Sequence, residues 1–438
     1  MKDQRIRDPI HNLIKFSNGR QDDRVLWKLV QTRELQRLRR IKQLGFSDLV
    51  YPGATHTRFS HALGAMQMAR RMLAVLKRNQ FVKEGSPDSV DEQATLCAAL
   101  LHDVGHGPLS HVFEEVSEQC GIRFHHEEWT RKIIEEGEIG NVLKETCDEL
   151  HKRTLLFFET DPAYDVFSSI VSSQLDADRL DFMLRDRYFT GVQFGTLDPE
   201  WLFDCLTIQQ IDIDPRSQEV KTEGFVVSSK GFSTIENYLY AYSELYSKVY
   251  FHKTTRAAQA MVKQILTDLV ADLSLVPATN PFRIYFESKP EPSLETYINL
   301  DDNGIWAIVQ FLADSRRGKI SEISRRLLDR DLYKCFELPK RPKEEIPLSK
   351  ANAFERKLRE NQIWHERDRL RRKGYKEFGD EGIGYLKNIL VYSEGDRAPV
   401  PMHVLSRWVQ EMPVGAPHRY YFQNDRDRQH ALEVWKGL

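Results

Sequence analysis

The stretch that most restricts the fold is residues 101–110, LHDVGHGPLS, followed at once by His111. The seven residues before it, ATLCAAL, are small and apolar enough to form a helix buried all round, which would carry His102 and Asp103 at the inner end of a rigid element. Gly105, Gly107 and Pro108 then stop that helix. An adjacent His-Asp pair at a buried helix end is costly to desolvate unless something positive lies against it, and a divalent metal is the natural candidate. Further ligands are therefore expected elsewhere in the chain.

His61 lies in RFSHALG, at the start of a stretch to Asn79 whose Leu63, Met66, Ala69, Leu73 and Leu76 recur at helical spacing. Asp178 lies in LDADRLDFMLRD, a second helical pattern in which Asp178, Asp181 or Phe182, and Arg185 share a face, with Asp186 beside it. Any one of these residues taken alone is more often a satisfied core or surface group. The four together, with His106 and His111 alongside, form an H…HD…D constellation that resembles the HD phosphohydrolase superfamily. A mixture of His and carboxylate suits iron, manganese, zinc, nickel or magnesium and does not choose among them, and a second Mg or Mn ion is a further candidate.

At 438 residues the chain is long enough for at least two lobes. Lys and Arg number 63 against 65 Asp and Glu, so no global basic field marks a nucleic-acid binder. The five cysteines, 97, 120, 147, 205 and 335, form no CxxC pair, which suits a reduced, cytoplasmic protein. No run is apolar and long enough to span a membrane. The fold expected is mainly α: an HD-domain helical bundle over 1–255 with a small β-hairpin, a helical extension over 256–338, and a C-terminal charged helix and small α+β region over 339–438.

In chain order, RDPIHNLIKF is a turn with a short β-prone run, and 23–43 reads as one helix with an apolar stripe and a basic one of Arg37, Arg39, Arg40 and Lys42. Such a basic stripe is usually a solvated face. Gly107-Pro108 is placed to open a short helix on which His111 and Glu114 share a face. RFHHEEWTRKIIEEG starts another, with His125 and His126 competing for a place near its N-terminus. LTIQQIDID, the turn PRSQ and EVKTEGFVVSS read as a hairpin, and 232–273 as a long helix on which Tyr242, Tyr246 and Tyr250 recur every four residues. FERKLRENQIWHERDRLRRKGYKEF reads as a charged helix, and NILVYS and HALEVWKGL as the strand and helix of the tail.

LQRLRRIKQLGFSDLVYPGATHTRFSHALG, with DPIH before it and LLHDVGHGPLSHVFE, LDADRLDFMLRD and LYSKVYFHK after it, is similar to the deoxynucleoside triphosphate triphosphohydrolase branch of that superfamily. In that branch water attacks the α-phosphorus and the whole triphosphate leaves the deoxynucleoside. The resemblance implies that His61, His102, Asp103 and Asp178 are metal ligands and that Arg58 contacts the α-phosphate. It implies that His111 is the general acid with Glu114 as its acidic neighbour, and that His106 and His126 are further phosphate-side histidines. Gln43 and Leu44 match residues near the ribose, Asp186 the acceptor for the 3′-hydroxyl, and Tyr250 the aromatic that crowds a 2′-hydroxyl.

Departures from the branch matter as much. Arg179 and Phe182 stand where the vertebrate member has Lys and Tyr, and Tyr242 and Tyr246 replace an Arg and a His that contact terminal phosphates and base; Lys248 or Lys253 would have to compensate. Gln31 matches an Asp that reads a guanine effector there, with Gln36 and Arg39 matching its neighbours, and Gln cannot copy a carboxylate receiving two guanine donors. A guanine effector is thus expected to bind weakly. The expectation is a deoxynucleotide-hydrolysing homo-oligomer without a membrane partner. The competing readings are a phosphohydrolase or exonuclease for nucleoside monophosphates or single-stranded DNA, and a silent nucleotide-binding scaffold.

Overall fold

The computed structural model describes the chain apart from residues 1, 82–88, 160–164, 194, 196, 213–220, 316, 339–345, 369–387, 397 and 413–417. It is mainly α, as the sequence periodicities predict. The N-terminal run forms a hairpin, β1 (Gln4–Asp8) with β2 (Asn12–Phe16), that turns Ile14 and Phe16 into the core and leaves Arg5, Arg7 and Lys15 in water.

Residues 23–43 are not one helix. α1 (Gln21–Gln31) stops at Thr32, whose backbone is extended (ψ 148°) and whose side chain accepts the Leu35 amide to start α2 (Arg33–Arg37) and a 3-10 turn over Leu38–Arg40. Thr is a better cap than helix interior, and the apolar stripe continues across the break, which hides it from a periodicity argument. The basic stripe is a solvated face only in part, with Arg39 and Arg40 exposed. Arg37 is fully buried, while Arg40 pairs with Asp301 and Lys42 with Asp48.

α3 (Arg58–Arg78) and α4 (Val90–Leu101) make the centre. α4 opens on a Ser89–Glu92 capping box and is buried without interruption from Ala94 to Leu101. Around them lie α5 (His111–Gln119), α6 (His126–Glu136), α7 (Glu138–Thr146), α8 (Asp148–Leu156) and α9 (Val166–Val171). α10 (Ala177–Thr190), capped by Asp176 and ended by Gly191 at φ 71°, packs along α3. α5 begins at His111 rather than at Pro108, because Leu109 and Ser110 take positive φ (54° and 51°) and keep the chain out of a helix.

α11 (Pro199–Cys205) leads into β3 (Leu206–Asp212) and β4 (Lys221–Ser228), an antiparallel pair whose expected PRSQ turn lies outside the described residues. The stretch 232–273 is divided: α12 (Phe232–Leu245) runs into a π turn over Tyr246–Tyr250, and α13 (Lys253–Ala271) starts afresh from His252, whose ring accepts the Thr254 amide. α14 (Pro281–Glu287), α15 (Leu294–Ile298), α16 (Asp302–Asp314) and α17 (Lys319–Leu328) gather with α13 into a second hydrophobic core that also takes Leu109, Phe113 and Trp129. Leu101 and Val104 belong instead to the first core, with α3, α4 and α10. The HD turn therefore lies on the seam between the two.

The C-terminal part is not one small body. β5 (Lys334–Glu337) and α18 (Leu348–Glu360) come first. The charged helix expected from 354 ends at Glu360; Gln362 takes φ 56°, and β6 (Glu366–Asp368) follows because buried Asp368 is drawn to Arg256 at 2.6 Å. The rest of that segment, from 369, lies outside the described residues. β7 (Leu390–Tyr392) joins β4 in parallel, and β8 (Val400–Pro401) joins β7, so the hairpin grows into a four-stranded sheet. α19 (Met402–Leu405) and α20 (Arg407–Gln410) follow, then β9 (Arg419–Phe422), which lies between β5 and β6, and α21 (Asp425–Lys436). Among the described residues no helix is long and apolar enough to cross a membrane.

Candidate metal centre and active site

His61 sits in the first turn of α3, His102 and Asp103 just past the end of α4, and Asp178 in the first turn of α10. His61 Nε2 is 3.0 Å from Asp178 Oδ1, 3.1 Å from His102 Nε2 and 3.9 Å from Asp103 Oδ2. His102 Nδ1 donates to the Ala99 carbonyl at 2.8 Å, and His61 Nδ1 donates to Asp181 Oδ2 at 2.8 Å. In both rings that fixes the proton on Nδ1 and leaves the Nε2 lone pair facing the other. Two lone pairs at that separation, ringed by carboxylates, call for a cation, and the donor set fits a divalent metal. Burial works against a charged His61, yet the hydrogen bonds of Asp178 and Asp181 prevail and lift its pKa to about 10, so without a metal the site takes up a proton instead.

Behind the ligands lies a buried ionic layer. Asp181, one turn along α10 from Asp178, accepts from His61, from His11 Nε2 at 2.6 Å and from Arg185 Nε at 2.8 Å, and Arg185 reaches on to Asp8 at 2.8 Å. Such outer carboxylates fix the tautomer and aim of a metal-bound imidazole. Glycine at 64 makes room for it: a Cβ there would meet Asp181 Oδ1 at 1.9 Å.

On the other side Arg58 Nη1 donates to Asp103 Oδ2 at 2.5 Å and Nη2 to Ser110 Oγ at 2.8 Å. His106 Nε2 is 3.2 Å from Asp103 Oδ1, and its ring stacks on His126 at 4.0 Å. Glu114 joins the remaining pair, accepting from His126 Nδ1 at 2.8 Å and from His111 Nδ1 at 3.0 Å. Burial opposes ionisation of Glu114, but those two hydrogen bonds hold it far below the usual carboxylate range. Burial and the Arg58 guanidinium push His106 well below the usual imidazole value. His106 is thus neutral, and His111, with 71% of its side chain exposed, is the member open to an incoming ligand.

Beyond the candidate metal ligands stands an aromatic wall. Phe182 lies 6.5 Å from His61, and Tyr242, Tyr246 and Tyr250 follow ring on ring at 4.7 and 4.8 Å. Buried Asp186 is held between His56 Nε2 (2.7 Å) and the Tyr250 hydroxyl (2.5 Å). Leu44 is buried, and Gln43 Oε1 is buried with no hydrogen-bond partner among the described residues. Arg179 turns to Asp176 and the Ser173 carbonyl, and Lys248 pairs with Glu244. Among the effector candidates, Gln36 donates to the Val30 carbonyl and accepts from Arg39, which lies 3.6 Å over the Phe59 ring, while Gln31 is exposed at the end of α1.

Sequence reasoning did not assign Asp8, His11, His56 or Tyr297, nor give Arg37 more than a surface role. The DPIH run held the first two in view, but nothing local ties it to Asp181, 170 residues away.

The HD domain model matches residues 58–170, and the HD associated region matches 216–363. The uncharacterized protein YwfO of Bacillus subtilis is 34% identical over 346 residues, covering 78% of this chain and 73% of that protein. The chain belongs to the HD-domain family. An uncharacterized protein of Methanocaldococcus jannaschii is 32% identical over 76% of this chain, which spans 60% of that protein's length. The deoxynucleoside triphosphate triphosphohydrolase SAMHD1 of Bos taurus is 25% identical over 75% of this chain and 58% of its own. A phosphohydrolase from Bacteroides thetaiotaomicron superposes with a TM-score of 0.73 at 25% identity, over 96% of this chain and all of that one. A hypothetical protein from Aquifex aeolicus shares the fold, with a TM-score of 0.72 at 24% identity over 99% of each chain. Family, fold and donor set together describe an HD phosphohydrolase with a site suited to a divalent metal.

Proposed function

We propose that this HD-domain protein hydrolyses deoxynucleoside triphosphates to deoxynucleoside and inorganic triphosphate. The observation that carries the reading is the Tyr250–Asp186–His56 chain beside the aromatic wall and the metal ligands, an arrangement suited to a sugar lacking a 2′-hydroxyl. The relatives that share the HD-domain motifs and are named as such triphosphohydrolases support it. A divalent ion held by His61, His102, Asp103 and Asp178 would supply an acidified water and draw charge from the phosphoryl oxygens.

The chain's own residues do the rest. Water adds to the α-phosphorus, the bond from that phosphorus to O5′ breaks, and O5′ needs a proton. Glu114 accepts from both His111 and His126 and so orients the exposed His111 to deliver a proton to O5′. Arg58 holds Asp103 in place and faces the phosphate side through Ser110. Asp186 accepts the 3′-hydroxyl, while the Tyr250 ring excludes a 2′-hydroxyl.

The test is hydrolysis of each of the four deoxynucleoside triphosphates, alone and mixed, by metal-loaded protein, with products resolved and Asp103→Ala as control. Release of triphosphate and deoxynucleoside, lost in the control, is expected. Intact nucleotides from folded, metal-loaded protein would overturn the reading. One observation favours a second substrate class: the stacked Tyr242 and Tyr246 are uncharged where the resembling branch carries an Arg and a His, which suits a monophosphate or a single-stranded DNA end. Those substrates are the next to assay.

A further inference from the structure

Arg37 is 0% exposed, and no carboxylate lies within ion-pair distance of it among the described residues. Its Nη2 donates to the carbonyls of Val104 at 2.8 Å and His106 at 2.7 Å, and its Nη1 to the carbonyl of Leu300 at 3.0 Å. Between the first two, the Gly105 carbonyl accepts from the Tyr297 hydroxyl at 2.6 Å. Two side chains thus take three successive carbonyls of the turn that follows Asp103. The Tyr297 ring is stacked flat on Trp129, 3.9 Å away, and faces the Arg37 guanidinium at 5.2 Å. Asp302 holds the far end of the same turn by accepting the amides of Leu109 at 2.8 Å and Lys42 at 2.9 Å. Thr130 accepts the Gly105 amide at 3.0 Å, and a Cβ at Gly105 would meet the His126 carbonyl at 2.1 Å.

A buried cation whose guanidinium hydrogen bonds go to carbonyls alone, with its Nε unpartnered among the described residues, is an expensive arrangement, and a buried turn outside any helix or sheet needs a donor for each carbonyl. Here the two needs answer each other. The turn also carries Leu109 and Ser110 at positive φ, a conformation that persists only when its surroundings over-determine it. We propose that Arg37 and Tyr297 are positioning residues: they fix the backbone of 104–106 and so set His106 against Asp103 and His126, and they tie that geometry to segment 297–302 of the HD associated region. The kinetic part rests on the proposed hydrolysis; the structural part does not.

The variants are Tyr297→Phe, which removes only the hydroxyl, and Arg37→Lys, which cannot span three carbonyls. Arg33→Gln is the control, because Arg33 links the same two segments through Glu295 and Asn299 on the surface without touching the turn. In the metal-loaded protein, Tyr297→Phe should lower kcat by about tenfold with KM held within about twofold, and Arg37→Lys by more, since a misplacement of one ångström costs up to about a hundredfold. Amide exchange in the 101–110 peptide should accelerate by about tenfold relative to α3 in both variants, with melting still cooperative. Arg33→Gln should do neither. Wild-type kcat and exchange in Tyr297→Phe, a rise in KM instead of a fall in kcat, or the same loss in Arg33→Gln each overturns the proposal. Should wild-type protein hydrolyse no deoxynucleoside triphosphate, the exchange comparison still decides, so this failure is separable from that of the substrate reading.

Discussion

Replacing Gly64 by alanine adds one methyl group that touches no metal ligand, and the structure makes it costly at the metal. The new Cβ would lie 1.9 Å from Asp181 Oδ1 and 2.5 Å from Arg185 Nη2, where ordinary contact begins at 3.4 Å, so the carboxylate must retreat by about 1.5 Å. Asp181 has no slack: it is fully buried and accepts from His61, His11 and Arg185 at 2.6 to 2.8 Å. Retreat breaks the 2.8 Å bond that aims His61. Loss of such an outer carboxylate weakens metal binding by about 10- to 100-fold, which is about 1.4 to 2.8 kcal/mol. Alanine is the better helix former by about 1 kcal/mol, but overpacking costs about 1 to 3 kcal/mol, so the metal-free protein should lose at most about 2 kcal/mol and still fold. Competition for Mn²⁺ against a chelator reads the affinity, and thermal melting with and without metal reads the stability. A Gly64→Ala protein with wild-type Mn²⁺ affinity would refute the view that Asp181 controls the metal ligand.

The metal-free protein should show a proton in the metal's place. The pKa of His61 is raised to about 10 in the fold against 6.5 unfolded, so that proton stabilises the fold fully below pH 6.5 and its contribution fades as pH climbs through about 10. Loading a metal displaces it, and affinity should grow with pH by up to about tenfold per unit across that window; calorimetry in buffers of differing ionisation enthalpy should count about one proton released near neutral pH, and none would contradict the site. Cys97 is buried and its thiol is pushed up to about 12 by burial and nearby Asp22, whereas Cys147 is exposed, so a thiol reagent should label Cys147 first and reach Cys97 only on unfolding. Tyr250→Phe should keep the preference for deoxy- over ribonucleotides, because the ring does the excluding, while Tyr250→Ala should erode it by about 10- to 100-fold; equal loss in both would assign the discrimination to the Asp186 hydrogen bond.

The four candidate metal ligands were legible because each sits in a local pattern, a helix start or a helix end, that physics reads over ten residues, and the fold brings them together. The wall of tyrosines was legible for the same reason, and its spacing survives the π turn that breaks the helix beneath it. Breaks at Thr32 and His252 escaped because the apolar stripe runs through them, and a stripe records burial, not backbone continuity. NILVYS was read as a strand, but its partner β4 could not be, since a parallel pairing between residues 227 and 391 leaves no trace in either segment alone. Arg37 misled most. In a row of cations a solvated face is the reasonable reading, and only the three carbonyls around its guanidinium, supplied by residues up to 263 positions away, reverse it.

Those carbonyls also bear on where the functional unit ends. The HD domain match stops at residue 170, yet the turn that carries Asp103 and His106 has Val104 in one hydrophobic core and Leu109 in the other. A chain cut after the HD match would keep all the metal ligands but Asp178, and a chain cut after α12 would keep every one. Either would lose Tyr297, Leu300 and Asp302, leave the Gly105 carbonyl, the Arg37 Nη1 and the amides of Lys42 and Leu109 without those partners, and bare Phe113 and Trp129. Each orphaned group costs about 1 to 3 kcal/mol, so the turn would relax and carry His106 with it. Three of the four candidate ligands lie within the HD match and Asp178 just beyond it; their geometry belongs to both cores.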